Sequence, residues 1–315
     1  GQATSYQYDS FRRVTRVTQP EGNYTEFTYD ERGNVTQTTA VAKSGSGLAN
    51  IVTSAAYDAT CANRPTCNQP NSTTDARGFR SDYTYDSTHG GVLTITQPAP
   101  AGAAPVGTGT RPQTRIAYSS LSAFYKNSGG SIVAAPSPVW RPAGVSACAT
   151  AASCAAGADE TVTTIGYGPQ VAGTANNLLP VSSTAGAGDG SLSATATTAY
   201  AALDNVETVN GPLAGAGDTT RFYYDTARQQ TGIVGPDAGG SVFRAERTTY
   251  NADGQVIVAE RGTVTNQSSN PWASFASLWR AETGYDFIGN RVRETLVGGG
   301  AARAVTQYSY DAAGR

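Results

Sequence analysis

Apolar and polar residues alternate along this chain over short stretches, and turn residues interrupt the alternation at intervals. Aromatic residues two places apart recur at Tyr6/Tyr8, Phe27/Tyr29, Tyr83/Tyr85, Phe222/Tyr224 and Tyr308/Tyr310. A spacing of two puts both rings on one face of a strand, so these segments predict strands with an aromatic face and an opposite face of Thr, Gln, Glu and Arg. Gln255–Ala259 and Val92–Thr96 read as returning strands. Second turns are marked by Pro20-Glu21-Gly22, Asp75-Ala76-Arg77-Gly78, Gly211-Pro212 and Gly235-Pro236-Asp237. The predicted unit is a β-hairpin that cannot bury a face alone and must pair with its neighbours, its aromatic pairs stacking as a ladder on the buried face.

Self-similarity is the dominant signal. Tyr-Asp dipeptides stand at Tyr8-Asp9, Tyr29-Asp30, Tyr57-Asp58, Tyr85-Asp86, Tyr224-Asp225, Tyr285-Asp286 and Tyr310-Asp311, with Tyr250-Asn251 a close variant. Tyr118, Tyr167 and Tyr200 read as copies that have lost the acid, and successive tyrosines then lie 21 to 49 residues apart. Asp30, Asp286 and Asp311 are each followed three places later by glycine, at Gly33, Gly289 and Gly314, and Asn251 is followed by Gly254 in the same way. Asp or Asn at the first position of a type I turn bonds its own backbone, and Gly at the fourth takes the positive φ of the bulge that closes such hairpins. Each dipeptide is therefore expected to end a strand at a turn. The chain reads as one all-β array over 1–315, with regular repeats at 1–96 and 220–315 and an insertion-rich middle at 97–219. One insertion predicts a short helix near 270–281, with Asn270 as cap, Pro271 at the first helical position, and Trp272, Phe275 and Trp279 forming a stripe that packs on the aromatic side of the sheet.

Composition narrows the chemistry. With 36 glycines and 15 prolines the chain is turn-rich, while 17 tyrosines recurring along its length argue against disorder. A net charge of -2, with basic residues scattered singly, offers no field for a phosphate backbone, so nucleic acid is not an expected partner. No segment has the roughly 18 apolar residues of a membrane span. There is no methionine, so Gly1 reads as a processed or internal start and the chain as a fragment of a longer one. Cys61/Cys67 and Cys148/Cys154 share one spacing, which points to two local disulfides and an oxidising compartment; reduced thiols are the alternative, and a zinc site is disfavoured because each pair is too widely spaced. His89 is the sole histidine and falls in a turn, where no nucleophile or orienting acid can be assigned to it. The repeat aspartates read as turn formers, and no glycine pattern calls for a cofactor.

The segments YDERGNVTQTT (29–39), YNADGQVIVAE (250–260), YDFIGNRVRET (285–295) and YDAAGR (310–315), with PEGNYTEFTYD (20–30) as a full returning half, resemble the RHS/YD-repeat family. That family includes bacterial Rhs polymorphic toxins, the cocoon component of ABC toxin complexes, and the teneurins. The resemblance implies a continuous sheet of hairpins wound as a spiral into a hollow shell, which in the toxin members encloses a C-terminal toxin domain. The family's Asp-Pro-x-Gly self-cleavage motif has no match here, so no catalytic role is carried over. The expected function is a non-catalytic, secreted or cell-surface bacterial scaffold that encloses or displays an effector, or builds an extended filament. Its partners would be further repeats of the same chain or neighbouring subunits. A glycan-binding adhesion module, using exposed Tyr and Trp, is the alternative.

Overall fold

The computed structural model describes residues 3–99, 110–148, 154–215, 217–237 and 242–311. In chain order the strands are β1 (Ser5–Tyr8), β2 (Val14–Thr18), β3 (Tyr24–Tyr29), β4 (Val35–Val41), β5 (Ile51–Tyr57), β6 (Pro70–Thr74), β7 (Arg80–Tyr85), β8 (Val92–Thr96), β9 (Gln113–Leu121), β10 (Phe124–Lys126), β11 (Ile132–Ala134) and β12 (Val139–Cys148). They continue as β13 (Glu160–Gly166), β14 (Ser182–Ala187), β15 (Ser193–Tyr200), β16 (Val206–Asn210), β17 (Thr220–Tyr224), β18 (Gln230–Asp237), β19 (Phe243–Tyr250), β20 (Val256–Val264), β21 (Ala276–Tyr285), β22 (Arg291–Gly298) and β23 (Ala301–Gln307). The architecture is all-β and antiparallel, as the alternation predicts; the only helical element among the described residues is a 3₁₀ turn at Pro271–Ser274.

Two compact units divide the chain, residues 1–179 with 184–193, and residues 180–183 with 194–315. In the first, each strand from β1 to β9 pairs antiparallel with the next, β9 pairs with β12 and β12 with β13, so the sheet runs unbroken past Tyr118. β10 and β11 form a separate two-stranded hairpin. In the second unit, β15 to β23 pair in sequence order.

Cross-strand register gives each sheet two faces. One row of the first unit reads Tyr6, Val17, Thr25, Ala40, Ile51, and the row on the opposite face Gln7, Arg16, Glu26, Thr39, Val52. The fully buried hydrophobic residues among those described are few: Cys67, Ala99, Cys148, Leu178, Val234, Ala245 and Val264. Most strand residues are instead half-buried, the condition of a sheet that is largely one layer thick.

The segment after β20 departs from the predicted helix. Asn270 makes no side-chain cap bond, helical geometry stops after Ser274, and Trp279 lies on β21 opposite Arg261. A helix over 270–281 would satisfy its own backbone, but the same residues reach more hydrogen bonds by laddering with β20 on one side and β22 on the other, so pairing overrides the helical spacing. The aromatic residues before β21 also pack on the other face from the one expected. Trp272 and Phe275 cover Val234, Ala245 and Val264 with Tyr223 and Phe243, and on β17 Tyr223 points away from the face of Phe222 and Tyr224. Glycine makes the room: a Cβ on Gly232 would collide with the Trp272 indole, and one on Gly262 with the Ala276 carbonyl. The indole meets Tyr223 and Phe275 edge-on at 5.1 and 5.9 Å, and Gln267 Nε2 ties the segment to the Thr219 and Gly235 carbonyls. Trp272→Ala should destabilise the second unit by about 3 kcal/mol, read as a lower urea midpoint.

Candidate functional site: the repeat junction

The recurring constellation is built where one hairpin meets the next. At eight of the repeat tyrosines the ladder slips by one residue: Tyr29 pairs with Val35 while Thr28 pairs with Gln37, and the same shift occurs at Tyr8, Tyr57, Tyr85, Tyr200, Tyr224, Tyr250 and Tyr285. The extra residue is a β-bulge in the returning strand. Its consequence falls on the residue opposite the tyrosine. Val35 lies two places before the first residue of β4 that ladders with β5, so its carbonyl has no strand partner on that side.

The next tyrosine fills that vacancy. Tyr57 Oη donates to the Val35 carbonyl at 3.2 Å. Tyr29 bonds Val14 (2.7 Å), Tyr85 bonds Pro70 (2.7 Å), Tyr167 bonds Pro142 (2.8 Å) and Tyr200 bonds Pro180 (2.8 Å). Tyr250 bonds Gln230 (2.9 Å), Tyr285 bonds Val256 (3.0 Å) and Tyr310 bonds Arg291 (2.8 Å). Except for Pro180, each acceptor is the residue paired with the tyrosine of the preceding copy. Tyr167 and Tyr200, which lack the acid, make the bond all the same. Tyr224 does not make it.

Aspartate organises the turn beside the tyrosine. Asp30 Oδ1 accepts the amides of Arg32 and Asn34, and the Gly33 amide donates to the Asp30 carbonyl with φ of 91° at Gly33. Asp286 with Gly289 and Asn251 with Gly254 repeat this geometry. Asp9 and Asp225 form the same turn with Arg12 and Arg228 in the positive-φ place. Gly314 lies outside the described residues. The carboxyls of Asp9, Asp30, Asp58, Asp86 and Asp286 are held below the usual range. For Asp58 and Asp86 the first cause is the amide bond from Thr60 and Thr88 respectively. For Asp30 and Asp286 the largest single influence is partial burial, which pushes upward, but bonds from Asn34 and Asn290 and the neighbouring amides together outweigh it.

A second set of contacts, missed at the level of sequence, joins turn to turn. After Tyr8, Tyr29, Tyr200, Tyr224, Tyr250 and Tyr285, where the turn is short, the residue five places on is Arg13, Asn34, Asn205, Gln229, Gln255 and Asn290 respectively, in each case a side chain with a terminal N–H. Arg13 donates to the Asp30 carbonyl, Gln229 to Gly254 and Gln255 to Gly289, each one turn further on. That recurrence of Arg, Asn and Gln was the available signal.

The expected aromatic ladder is not continuous. Tyr83 and Tyr85 stack with centroids 6.5 Å apart, but elsewhere a guanidinium lies over the ring, Arg13 over Tyr29, Arg16 over Tyr24 and Arg291 over Tyr308. Tyr6 and Tyr8 are more than half exposed. The rings lean along the sheet toward backbone carbonyls and not toward each other, and a one-layer sheet leaves them partly in water.

At Tyr118 the junction has a different form. Its ring lies against Gly91 and is tilted on His89 at 4.6 Å, and His89 stacks on Trp140 at 4.6 Å. His89 Nδ1 accepts the Gly91 amide, and its Nε2 is 3.5 Å from Asp86. Cys61–Cys67 and Cys148–Cys154 are disulfide-bonded. Near the second, buried Glu160 accepts from Ser146, the Ala156 amide and Arg115; the Ser146 hydroxyl is the first cause holding its carboxyl low. Among the described residues no three His, Cys, Asp or Glu side chains gather as metal ligands would. No described helix is long and apolar enough to cross a membrane.

The family model described as RHS Repeat matches residues 13–44, which span β2 to β4 and the Tyr29-Asp30 turn. No curated protein matches. Among solved structures the chain is similar to the crystal structure of TcdB2-TccC3 without hypervariable C-terminal region, at 10% identity and a TM-score of 0.32 over 99% of this chain and 17% of that one. It is also similar to the crystal structure of TcdB2-TccC3, at 12% identity and a TM-score of 0.31 over 98% of this chain and 19% of that one. The chain thus spans less than a fifth of the length of these structures.

Two outcomes follow from the junction geometry. Tyr285→Phe removes one hydroxyl-to-carbonyl bond and should cost about 1 kcal/mol, whereas Tyr224→Phe, with no such bond, should change stability by less than about 0.5 kcal/mol, both by urea denaturation. The depressed carboxyls bind protons less readily folded than unfolded, so their stabilisation is complete above the unfolded value near 4 and is lost as pH falls through the lower folded values. Thermal midpoints should therefore drop below about pH 4. Asp30→Asn and Asp286→Asn, which adopt the state Asn251 already shows, should flatten that drop.

Proposed function

We propose that this chain is a non-catalytic structural array of RHS repeats, part of a secreted or cell-surface bacterial scaffold whose work is to enclose or display an effector domain. The match over residues 13–44 supports the repeat assignment, and the observation that carries the function is the use made of the recurrent side chains. Tyrosine hydroxyls bond the preceding repeat, and Asp carboxylates are occupied by their own turn amides. What recurs in this chain is engaged in building sheet, which supports a structural role. The two disulfides favour an oxidising location. Further repeats of the parent chain, neighbouring subunits or a filament would extend the same hairpin-to-hairpin bonding.

A glycan-binding reading has one point in its favour, the exposure of Trp140 and Trp279 at 43% and 39%. His89 already stacks on the first ring and Arg261 lies over the second, which leaves less free π-surface than a sugar platform needs.

Protease challenge of the parent protein separates enclosure from display. If the array encloses its effector, that domain should resist protease until the array is loosened by combined Tyr→Phe substitutions at Tyr29, Tyr57 and Tyr85; immediate digestion of the effector in the intact parent would leave display as its role. Binding to a glycan array that disappears in Trp140→Ala, with the fold retained by circular dichroism, would overturn the scaffold reading in favour of adhesion.

A further inference from the structure

The turn between β5 and β6 is unlike its counterparts. At Asp9, Asp30, Asp225, Asn251 and Asp286 a four-residue turn with Gly or Arg at positive φ closes the hairpin, but here twelve residues, Asp58–Gln69, intervene and the Cys61–Cys67 disulfide closes the loop inside them. Asp58 Oδ1 takes both the amide and the hydroxyl of Thr60, and the Ala62 amide also bonds the carboxyl. Cys61 takes a φ of 49°, a conformation unfavourable for a residue with a Cβ that must be held by its surroundings. Cys67 is buried, and its amide donates to the Asn63 carbonyl. The covalent bridge does here what glycine and aspartate do in the other turns.

This loop is also gripped from both sides. From the preceding turn, Arg32 sends its guanidinium across to the Asp58, Ala59 and Cys67 carbonyls and to Asn68 Oδ1. Toward the following turn, Gln69 Nε2 donates to the Gly90 carbonyl at 2.7 Å and Asn63 Nδ2 to the Ser87 carbonyl at 2.9 Å. Gly90, with φ of 74°, sits so close that a Cβ there would lie 2.6 Å from the Pro65 carbonyl. The acceptors Arg32 uses and the donors facing Ser87 and Gly90 belong to one small loop that a single S–S bond crosses.

We propose that Cys61–Cys67 is a redox-sensitive clamp on three successive repeat junctions, those at Asp30–Asn34, Asp58–Gln69 and Asp86–Gly91. A dithiol reductant opens it: one thiolate attacks Cys61 Sγ, the less buried sulfur, the S–S bond breaks, and Cys67 leaves as a thiolate that takes up a proton. The second thiol of the reductant then resolves the mixed disulfide, releasing the Cys61 thiol, and the reductant departs as a disulfide; two electrons and two protons pass to the protein. With the bridge gone, Cys61 relaxes from positive φ, the carbonyl fan that binds Arg32 disperses, and the grip on Gly90 loosens. The strands on either side keep their ladders, so the release is local to the turn edge of the sheet.

The test is hydrogen exchange by mass spectrometry on the full chain carrying Cys148→Ala and Cys154→Ala, with and without dithiothreitol. Exchange within 30–34, 58–69 and 86–91 should rise together by roughly tenfold or more on reduction, while β15 to β23 are unchanged, and reoxidation should restore protection. Cys61→Ser/Cys67→Ser should show the released pattern without reductant. If the Ala pair does not fold, wild type under graded reductant, with alkylation identifying which cysteines have opened, supplies the same comparison. A rise confined to 58–69, a rise spread over the whole chain, or no rise at all would each overturn the clamp.

Discussion

Each returning strand begins with a backbone carbonyl that the ladder cannot satisfy, and the rest of the architecture answers to that group. The bulge opposite the repeat tyrosines that lie on strands produces it, at Val14, Val35, Gln230 and Val256 among others. Left unmade in a half-buried sheet, such a group costs about 1–3 kcal/mol. A phenol is well suited to it: the rigid ring spans from one strand across to the start of its neighbour, fills the gap with apolar area, and ends in a hydroxyl donor. Phenylalanine would supply the area without the donor, and serine the donor without the reach. Because buried side chains are so few, stability is a sum of such neighbour-to-neighbour bonds and not the property of one core, the thermodynamic character of a repeat array.

The turns carry the second half of the coupling. Aspartate at the first position fixes the hairpin's own geometry, and the residue five places after the tyrosine reaches the adjoining turn. Arg13 does both jobs, bonding Asp9 at 2.6 Å and the Asp30 carbonyl at 3.0 Å while its guanidinium lies over Tyr29. Arginine suits this place because its planar group donates in several directions and stacks on an aromatic face at once, which lysine cannot do. The chain has only two lysines among its 22 basic residues, Lys43 and Lys126.

Much of this was legible in the sequence because it rests on local chemistry. Alternation fixed the strands, Asp-x-x-Gly fixed the turns, and the spacing of the cysteines suggested which would meet. The carbonyl that receives each tyrosine was not legible, since a backbone atom has no letter and its availability depends on a bulge. The helix expected over 270–281 failed for a related reason: spacings of three and four at Trp272, Phe275 and Trp279 look helical in isolation, but open strand edges on both sides draw residues 276–285 into the sheet. Positive φ at Arg12 and Arg228 was hidden as well, because glycine was the only sign to look for. His89 reads as a turn residue and sits in one, yet its stacking between Tyr118 and Trp140 depends on strands far along the chain.

A backbone acceptor also explains how the array persists where its motif decays. The residues that receive the tyrosine are Val, Pro, Gln and Arg, and any of them serves because only the carbonyl is used. Proline serves at Pro70, the first residue of β6, at Pro142, beside a bulge in β12, and at Pro180, just before β14, places where the ladder does not need its amide. The acid is dispensable to the junction, since Tyr167 and Tyr200 bond without one, and so is a short turn, since twelve residues and a disulfide replace it at Asp58–Gln69. Even the hydroxyl bond can be replaced, by His89 packing on Tyr118. The tyrosine ring therefore recurs where the acid and the short turn do not, and within the first unit the sheet passes from β8 through β9 and β12 to β13 without a break.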